Sequence, residues 1–343
     1  MTTQKAVIIT EPKTEGLVTD RPIPQLRDDY LLVKTVSVGL NPTDWKHIAY
    51  LSPPGVLVGC DYAGTVEAVG KDVQKKFAKG DRVCGFAHGS NAVQPEDGTF
   101  AEYIVVKGDV QWKIPEHMSF QEAATLGVGI STVGQGLYQS LKLALPTEPI
   151  KDATPILIYG GSAATGTLAI QFAKLSGYKV LTTCSPRNFD LVRSLGADEV
   201  YDYKDPQAAA QIRKDTDNKL KYVFDCISIE SSAAFADNAL STEGGEYSAL
   251  LNVKIARENV NDRFTLGYTT LGEAFKFGDI PFPALPDHRA FAEKWISIAE
   301  VLLADKKIKV GQNGLKGVIE GLKLLKEDKV SGEKLVYNVS ETP

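Results

Sequence analysis

The stretch Tyr159–Gly177, YGGSAATGTLAIQFAKLSG, gathers small residues between a predicted strand, Ile156–Tyr159, and a predicted helix, Thr167–Leu175. A strand that leads into a small-residue turn and then a helix directs backbone N–H groups and the positive end of the helix dipole toward an anion. The pattern predicts that the turn Gly160–Gly166 binds the pyrophosphate of a dinucleotide. The glycines do not follow the regular G-x-G-x-x-G spacing, so tight helix-on-strand packing without a ligand is the alternative.

A second predicted strand ends without a carboxylate, which bears on the identity of the dinucleotide. An NAD site normally presents Asp or Glu there to the adenosine ribose, whereas a hydroxyl, an amide and a guanidinium accept a 2′-phosphate. Tyr203, which ends the segment DEVYDY, is expected to stack near the adenine or to reach the same phosphate. We therefore expect NADPH as cofactor, with the following residues at this strand end: Ser185, Pro186, Arg187 and Asn188. The alternatives are that Arg187 is a solvated loop residue and that Tyr203 is a core aromatic residue.

The remaining sequence indicates two domains around this site. The chain has 343 residues, enough for two hydrophobic cores. Up to Ile114, short runs of alternating apolar and polar residues separated by Gly, Pro and Asp predict a mainly antiparallel β domain. From Pro155, β-rich runs alternate with helix-length segments, which predicts βαβ units in a doubly wound parallel sheet. We assign 1–124 and 279–343 to the first domain and 125–278 to the second, an α/β fold.

Composition excludes several function classes. A net charge of −5 and an isoelectric point near 5.6, with scattered Lys and Arg residues, predict no nucleic-acid binding. No apolar run approaches the ~18 residues of a membrane helix, and no signal-peptide pattern begins the chain, so we expect a cytoplasmic protein without a membrane partner. The four cysteines, which are far apart in apolar contexts, predict buried reduced thiols.

Several ordered motifs along nearly the whole chain resemble those of the medium-chain dehydrogenase/reductase superfamily. Within it, the turn described above and the late VSGEKLV are similar to the trans-acting enoyl reductases of fungal polyketide pathways, including lovastatin-type enzymes and ToxD-like oxidoreductases. The resemblance implies a Rossmann domain and a GroES-like catalytic domain. The motifs are GLNPTDWK (39–46), GCDYAGTVEAVG (59–70), KGDRVCGF (79–86), GTFAEYIVV (98–106), LGVGISTVGQGL (126–137) and LGADEVYDY (195–203).

The sequence departs from the zinc-dependent members of that superfamily. Asn41 stands where they have their first ligand, a cysteine, and Gly59-Cys60-Asp61 replaces their Gly-His-Glu. The cluster of four structural cysteines is absent, and the four histidines have no paired spacing. We therefore expect no metal, with Cys60 as a buried strand cysteine; the alternative is a relic ligand. Without zinc to polarise a carbonyl, reduction of a conjugated carbon–carbon double bond fits better than alcohol oxidation.

The resemblance also implies site residues. Lys46 and Thr132 are the expected catalytic residues, near the nicotinamide and the developing enolate. Besides the strand-end residues and Tyr203, the expected cofactor-binding residues are Thr43, Asp44, Trp45, Lys46, Ser162, Ala163, Ala164, Thr165, Leu251, Asn252, Val330 and Ser331. The expected substrate-binding residues are Val133, Gly134, Gln135, Gly136, Leu137, Tyr138, Gln139, Ser140, Gly267, Tyr268, Thr269, Thr270 and Leu271.

Each assignment has an alternative. The alternatives are that Lys46 only forms a surface ion pair with Asp44 or Glu102, that Thr132 only caps a nearby helix, and that Trp45 belongs to the core. The proton donor is left open among Tyr62, Lys46 and water.

The expected function is NADPH-dependent reduction of an α,β-unsaturated enoyl acyl substrate. The expected partner is a polyketide synthase that carries this substrate. The alternatives are a quinone or enone reductase and a non-catalytic NADPH-binding protein. Charged residues in NDRFTLGYTT, at a predicted sheet edge, predict a monomer.

Overall fold

A computed structural model describes residues 2–302, 308–311 and 314–343. The first part of the chain is mainly strand. Two of its helices continue as π-helical turns: Pro42–Lys46 into His47–Leu51, and Gly127–Val133 into Gly134–Ser140. The elements are β1 (Thr3–Glu11), β2 (Thr14–Pro22), β3 (Tyr30–Gly39), α1 (Pro42–Lys46), β4 (Asp61–Val69), β5 (Arg82–Phe86), β6 (Tyr103–Lys107), β7 (Trp112–Lys113), α2 (Phe120–Ala123) and α3 (Gly127–Val133).

The middle of the chain alternates strands and helices. Its six strands form one sheet in which every neighbouring pair is parallel. The elements are β8 (Pro155–Tyr159), α4 (Ala164–Leu175), β9 (Lys179–Cys184), α5 (Phe189–Ser194), β10 (Glu199–Asp202), α6 (Ala208–Asp215), β11 (Tyr222–Asp225), α7 (Glu230–Ala239), β12 (Gly245–Ala249) and β13 (Val260–Phe264). The strand order is β10-β9-β8-β11-β12-β13, so the doubly wound sheet predicted from the sequence is confirmed.

The last part of the chain returns to the first sheet. β17 (Lys334–Asn338) pairs antiparallel with β3 and parallel with β16 (Ile308–Gly311). The elements are β14 (Phe275–Phe277), β15 (Ile280–Phe282), α8 (Pro286–Ala299), β16 (Ile308–Gly311), α9 (Gly314–Lys326) and β17 (Lys334–Asn338). The sheet runs β16-β17-β3-β4-β5-β7, with β6 also on β3; β1 and β2 form a separate ribbon, as do β14 and β15.

The chain forms two compact units, unit 1 (Met1–Ser131 with Tyr268–Pro343) and unit 2 (Thr132–Gly267). The first limit falls inside α3 and the second at the start of a 3₁₀ turn, Gly267–Leu271. The boundaries predicted from the sequence, 124/125 and 278/279, differ from these limits. Composition along the chain indicates which residues are buried, whereas a unit is defined by which residues contact one another.

Each unit has its own apolar interior. In unit 2, Leu157, Leu181, Val223 and Tyr247 from neighbouring strands are fully buried together. In unit 1, α9 packs through Leu315, Val318 and Leu322 against a core that includes Tyr337. α8 buries Ala292, Trp295, Ile296 and Ala299. Among the described residues, no helix has the length and apolar character to span a bilayer.

Candidate active site

The small-residue turn of unit 2 follows the central strand of the parallel sheet. β8 ends at Tyr159, and Gly160 has a φ of +82°, a conformation that favours glycine. α4 begins at Ala164, three residues before the predicted start, because small residues there allow the helix to begin within the turn. Ala163 is the N-cap residue, and its own side chain makes no capping hydrogen bond. α4 thus begins within the turn that follows β8, and a helix N-terminus at such a place favours an anion such as a pyrophosphate.

Glycine is required at two further positions for close approach of backbone to backbone and of backbone to side chain. A Cβ on Gly166 would collide with the carbonyl oxygen of Gly160, and one on Gly161 would collide with Oγ1 of Thr182. Thr183 on β9 fixes the other side of the turn, because its Oγ1 accepts from the Gly160 amide at 3.1 Å and its carbonyl accepts from the Gly161 amide at 2.9 Å. These glycines and Thr183 hold the turn in the compact conformation that a dinucleotide-binding strand–turn–helix unit has.

The residues predicted to select the cofactor lie side by side at the carboxyl edge of the same sheet. β9 and β10 pair with Cys184 opposite Asp202, so Ser185 and Tyr203 follow directly on neighbouring strands. Tyr203 is 40% exposed, which excludes the alternative that it is a core aromatic residue. Arg187 is exposed in a 3₁₀ turn, and no ion pair with a described residue engages it. An exposed guanidinium fits both the phosphate ligand and the solvated loop residue.

Four further residues predicted to bind the cofactor lie in two different parts of the chain, two in unit 2 and two in unit 1. Leu251 and Asn252 are exposed directly after β12, at the same carboxyl edge of the unit 2 sheet. Val330 packs against the α9 core of unit 1, and Ser331 is exposed before β17. Their contact with a cofactor stays a prediction.

In unit 1, a capping box organises the start of α1, the helix that contains the predicted site residues 43–46. Asn41 is the N-cap of α1, and its backbone amide donates to Oδ2 of Asp44 at 2.7 Å. Asp44 is buried, and burial raises its pKa from 3.8 to about 7, with a further rise from the charge of Asp61. The structure therefore gives Asp44 an internal role at the helix start.

Lys46, the last residue of α1, is half-buried. No described residue forms an ion pair with it, so the predicted alternative of a pair with Asp44 or Glu102 is wrong. Glu102 instead accepts from the Lys5 amide at 2.7 Å. The Lys46 ammonium lies 5.8 Å from the centroid of the Trp45 ring, and partial burial lowers its pKa. An unpaired, partly desolvated cation is available to a negative charge that develops on a substrate.

Thr43 belongs to a cluster of hydroxyl and aromatic groups in unit 1. Its Oγ1 shares a hydrogen bond with Oη of Tyr268 at 2.7 Å. The Tyr268 ring stacks on His88, with 3.9 Å between centroids, and His47 meets Tyr268 edge-on. Burial lowers the pKa of His47 to about 4 and holds the pKa of His88 well below its ordinary value, so both imidazoles are neutral. The segment Gly267–Leu271 is predicted to bind substrate, and through Tyr268 it contacts Thr43, a residue predicted to bind the cofactor.

A buried polar network links Asn41 and Asp61 to a residue that the sequence analysis did not select, Lys334. The Lys334 ammonium forms an ion pair with Asp61 and donates to Oδ1 of Asn41 at 3.0 Å. Asn41 Nδ2 donates to Oδ2 of Asp61 at 2.9 Å. The lysine lies 273 residues from Asp61 along the chain, and no short motif connects them.

These residues do not fit a zinc ion. A lysine ammonium already holds the oxygens of Asn41 and Asp61, and an ammonium is not a metal ligand. Burial raises the pKa of the Cys60 thiol well above its ordinary value, which disfavours the thiolate that zinc binds. Cys60 precedes β4 and is buried, as are the other three cysteines, all unbridged.

Thr132 lies near the end of α3, at the sixth of its seven residues, so the alternative that it caps a helix start is wrong. The following segment, predicted to wall an acyl pocket, is largely interior to unit 2. Leu137 is fully buried, and Tyr138 donates to the Phe172 carbonyl at 3.1 Å. Gly136 packs on the ring of Phe224. Substrate contact by this segment stays a prediction, and it falls mainly on the half-buried Gln139 and Ser140.

Tyr62 is not available as a proton donor in this structure. It is fully buried, and its hydroxyl donates to Oε1 of Gln111 at 3.0 Å. Burial raises its pKa well above the ordinary value for tyrosine. Of the three candidates that the sequence left open, Lys46 and water remain.

Comparison with known proteins agrees with this geometry. Residues 27–116 match the family model of the alcohol dehydrogenase GroES-like domain, and residues 164–248 match that of zinc-binding dehydrogenases. A solved alcohol dehydrogenase superfamily protein from Novosphingobium aromaticivorans superposes with a TM-score of 0.81 at 21% identity, covering 98% of this chain and 99% of that one. This structural match shows the fold, including the predicted GroES-like domain.

Curated relatives narrow the family. The trans-enoyl reductase TOXD from Cochliobolus carbonum is 68% identical over 286 residues, which are 83% of this chain and 96% of the relative. The trans-enoyl reductase resD from Aspergillus sclerotiorum is 49% identical over 98% of this chain and all of the relative. The resemblance inferred from the sequence is confirmed: the chain belongs to the trans-enoyl reductase family of the medium-chain dehydrogenase/reductase superfamily.

Proposed function

We propose that this enzyme is an NADPH-dependent reductase of α,β-unsaturated acyl thioesters. Hydride is added to the β-carbon and a proton to the α-carbon, so the double bond becomes a single bond. The observation that carries the proposal is the identity of 68% and 49% with two trans-enoyl reductases, aligned over most of the chain. The proposal is supported by Lys46, whose ammonium forms no ion pair with a described residue, and by the compact turn after β8.

As a medium-chain dehydrogenase/reductase, the enzyme uses a nicotinamide cofactor, which supplies the hydride when bound. The turn after β8 and the amide end of α4 would bind its pyrophosphate. Hydride addition to the β-carbon places negative charge on the thioester oxygen as an enolate, and a preorganised cation or hydroxyl stabilises that charge. We assign this stabilisation to Lys46 and the orientation of the nicotinamide to Thr132.

The preference for NADPH over NADH is a separate part of the proposal. Arg187 and Tyr203 are exposed at neighbouring strand ends, with Ser185 where an NAD site has a carboxylate. One or two charge-assisted hydrogen bonds of about 1.5–3 kcal/mol each give at least a ten-fold preference. Arg187→Ala should weaken NADPH binding by calorimetry about ten-fold and leave NADH binding unchanged. Arg193→Ala, the same charge change on the adjacent α5, is the control; equal losses from both variants would contradict this role.

We further propose that the acyl group reaches the enzyme on the carrier domain of a polyketide synthase, as the names of the relatives imply action in trans. The substrate is then a small acyl group on a tethered arm. A monomer in the cytoplasm suits this role, and both points stay predictions.

The deciding experiment compares acceptors. Single-turnover NADPH oxidation is measured with crotonyl thioester, a longer α-methyl enoyl thioester and a small quinone. The proposal expects rapid reduction of at least one enoyl thioester. If only the quinone is reduced rapidly, the enzyme is a quinone reductase and the proposal is wrong. If NADPH binds tightly and no acceptor oxidises it, the protein is a non-catalytic NADPH-binding protein.

A further inference from the structure

We propose that Lys334 is a positioning residue for this reaction. Its buried ion pair with Asp61 fixes the starts of two helices, α1 and α3, in which the proposed catalytic residues Lys46 and Thr132 lie. This inference rests on the proposed function for its catalytic meaning, whereas the anchoring of the two helices can be measured without turnover.

The Lys334 ammonium is fully used within the interior of unit 1. The side chain is 4% exposed and its partner Asp61 is 0% exposed. Besides the ion pair, the ammonium donates to Oδ1 of Asn41 at 3.0 Å and to the carbonyl of Thr125 at 3.1 Å. Three acceptors for three N–H donors satisfy the cation, as a buried charge requires. Two of those acceptors belong to the segments that lead into α1 and α3.

The Asp61 carboxylate connects the same two segments from the opposite side. Its Oδ2 accepts from Nδ2 of Asn41, the N-cap residue of α1, at 2.9 Å. Its Oδ1 accepts from the amide of Val128, the second residue of α3, at 2.6 Å. A Cβ on Gly127 would lie 2.5 Å from the same oxygen, so α3 begins on a glycine that permits this approach. Asp61 thus holds one donor from each helix start.

A second carboxyl, that of Asp44, lies close to Asp61, so the arrangement needs the positive charge of Lys334 in the interior. Asp44 is buried in α1, and the charge of Asp61 raises its pKa while that of Lys334 lowers it. The Cys60 thiol and the Tyr268 phenol also face this carboxyl, and burial raises the pKa of both well above their ordinary values. Without the ammonium, Asp61 would be a buried carboxylate beside Asp44 with no compensating cation, and its displacement would release the Asn41 and Val128 donors.

A stabilising role alone does not require these residues, since well-packed apolar side chains replace buried ion pairs at little cost. The network consists of five polar groups and is instead arranged so that a shift of α1 or α3 breaks a hydrogen bond; the groups belong to Lys334, Asp61, Asn41, Thr125 and Val128. Directional bonds of this kind fix a position more sharply than apolar contact does.

The test compares Lys334→Met with Lys107→Met. Lys107 is a second buried lysine of unit 1, with a side chain that is 9% exposed, and its ion-pair partners among the described residues are Asp29 and Glu273, which lie outside α1 and α3. Amide hydrogen exchange is followed by mass spectrometry in peptides that cover 41–51 and 125–133. Single-turnover reduction is measured with the acceptor that the wild type prefers, and NADPH dissociation constants are measured in parallel.

We expect Lys334→Met to speed exchange at least ten-fold in both peptides and to slow single turnover at least ten-fold, with NADPH affinity within about three-fold of wild type. Lys107→Met should lower the thermal midpoint without either effect. The inference is overturned if a folded Lys334→Met variant keeps wild-type exchange in these peptides, or if Lys107→Met speeds them equally.

A pair of double variants keeps the test decisive if Lys334→Met does not fold. Asp61→Asn removes the charge and keeps an acceptor oxygen for the Val128 amide, and its new NH2 group can donate to Oδ1 of Asn41, which Lys334→Met leaves without a donor. Asp61→Leu offers neither interaction. We expect D61N/K334M to recover slow exchange and most of the turnover, and D61L/K334M to recover neither. Equal behaviour of the two double variants would overturn the positioning role. Slow exchange in a wild type that reduces no enoyl thioester or quinone would instead refute the proposed function alone.

Discussion

At the scale of single residues, Lys46 differs from most lysines of the chain in being half-buried without an ion pair among the described residues. In the role proposed for it, Lys46 interacts with the developing enolate in the transition state and not with the ground-state substrate. Lys46→Ala should therefore lower the turnover of an enoyl thioester by roughly 10²–10³-fold, as loss of one preorganised donor does, while NADPH affinity changes much less. Lys294→Ala, at an exposed lysine of α8, is the control in the same assay. A large loss of thermal stability with normal turnover would show that Lys46 has a structural role.

Thr132 allows a companion substitution that preserves shape. Because it lies within α3, Thr132→Val keeps a β-branched side chain in a helix and removes only the hydroxyl. We expect turnover to fall with little change in the melting temperature. Unchanged single-turnover rates for this variant would remove Thr132 from the catalytic assignment.

Asp44 makes the stability of the protein depend on pH. Its folded pKa of about 7 lies above the ordinary 3.8, so the folded state binds the proton more tightly than the unfolded state does. Stability from this group is fully present below pH ~4 and is lost as the pH rises through about 7. Asp44→Asn keeps an acceptor for the Asn41 amide and does not titrate. The difference in unfolding free energy, wild type minus variant, should fall between pH 4 and 7, and a difference that is flat or rises would contradict the raised pKa.

At the scale of elements, the strand–turn–helix unit β8–α4 depends on the backbone conformation of Gly160. An alanine at its φ of +82° costs about 1–2 kcal/mol, and its Cβ would lie 2.6 Å from Cγ1 of Ile227. Gly80 has a φ of +89° and open space around it, so Gly80→Ala measures the backbone cost alone. We expect both variants to lose stability and only Gly160→Ala to weaken NADPH binding, at least ten-fold by calorimetry. Equal NADPH affinity in the two variants would separate this turn from the cofactor site.

At the scale of the whole molecule, the edge of the parallel sheet bears on assembly. β13 is the edge strand beside β12, and it carries Asp262 and Arg263. Arg263 forms an ion pair with Glu246 at 2.5 Å and donates to the Ser140 carbonyl at 3.1 Å, so its charge is held at the edge. Charged edges discourage strand pairing between copies. Light scattering coupled to size-exclusion chromatography should give a mass near 37.2 kDa at all loading concentrations. A mass twice that value, abolished by Pro at a β13 position, would show dimerisation through this edge.

The sequence by itself determined the parts of this protein that depend on neighbouring residues. The alternation of strands and helices, the small residues after β8 and the missing carboxylate after β9 all lie within short segments, and hydrophobic periodicity and turn chemistry report directly on such segments. Element starts were less certain, as the earlier start of α4 shows, because small residues are compatible with both turn and helix.

Only the tertiary structure decided which distant side chains meet. Periodicity predicts that a residue is buried but does not name its partner, so nothing in the sequence pattern paired Thr43 with Tyr268, 225 residues away, or Asp61 with Lys334. The same limit explains the interior positions of Asp44 and Tyr62, which the sequence offered as site residues. A buried charge or hydroxyl is stable only where the fold supplies its hydrogen-bond partners. Those partners come from strands and helices that become neighbours only when the whole chain has folded.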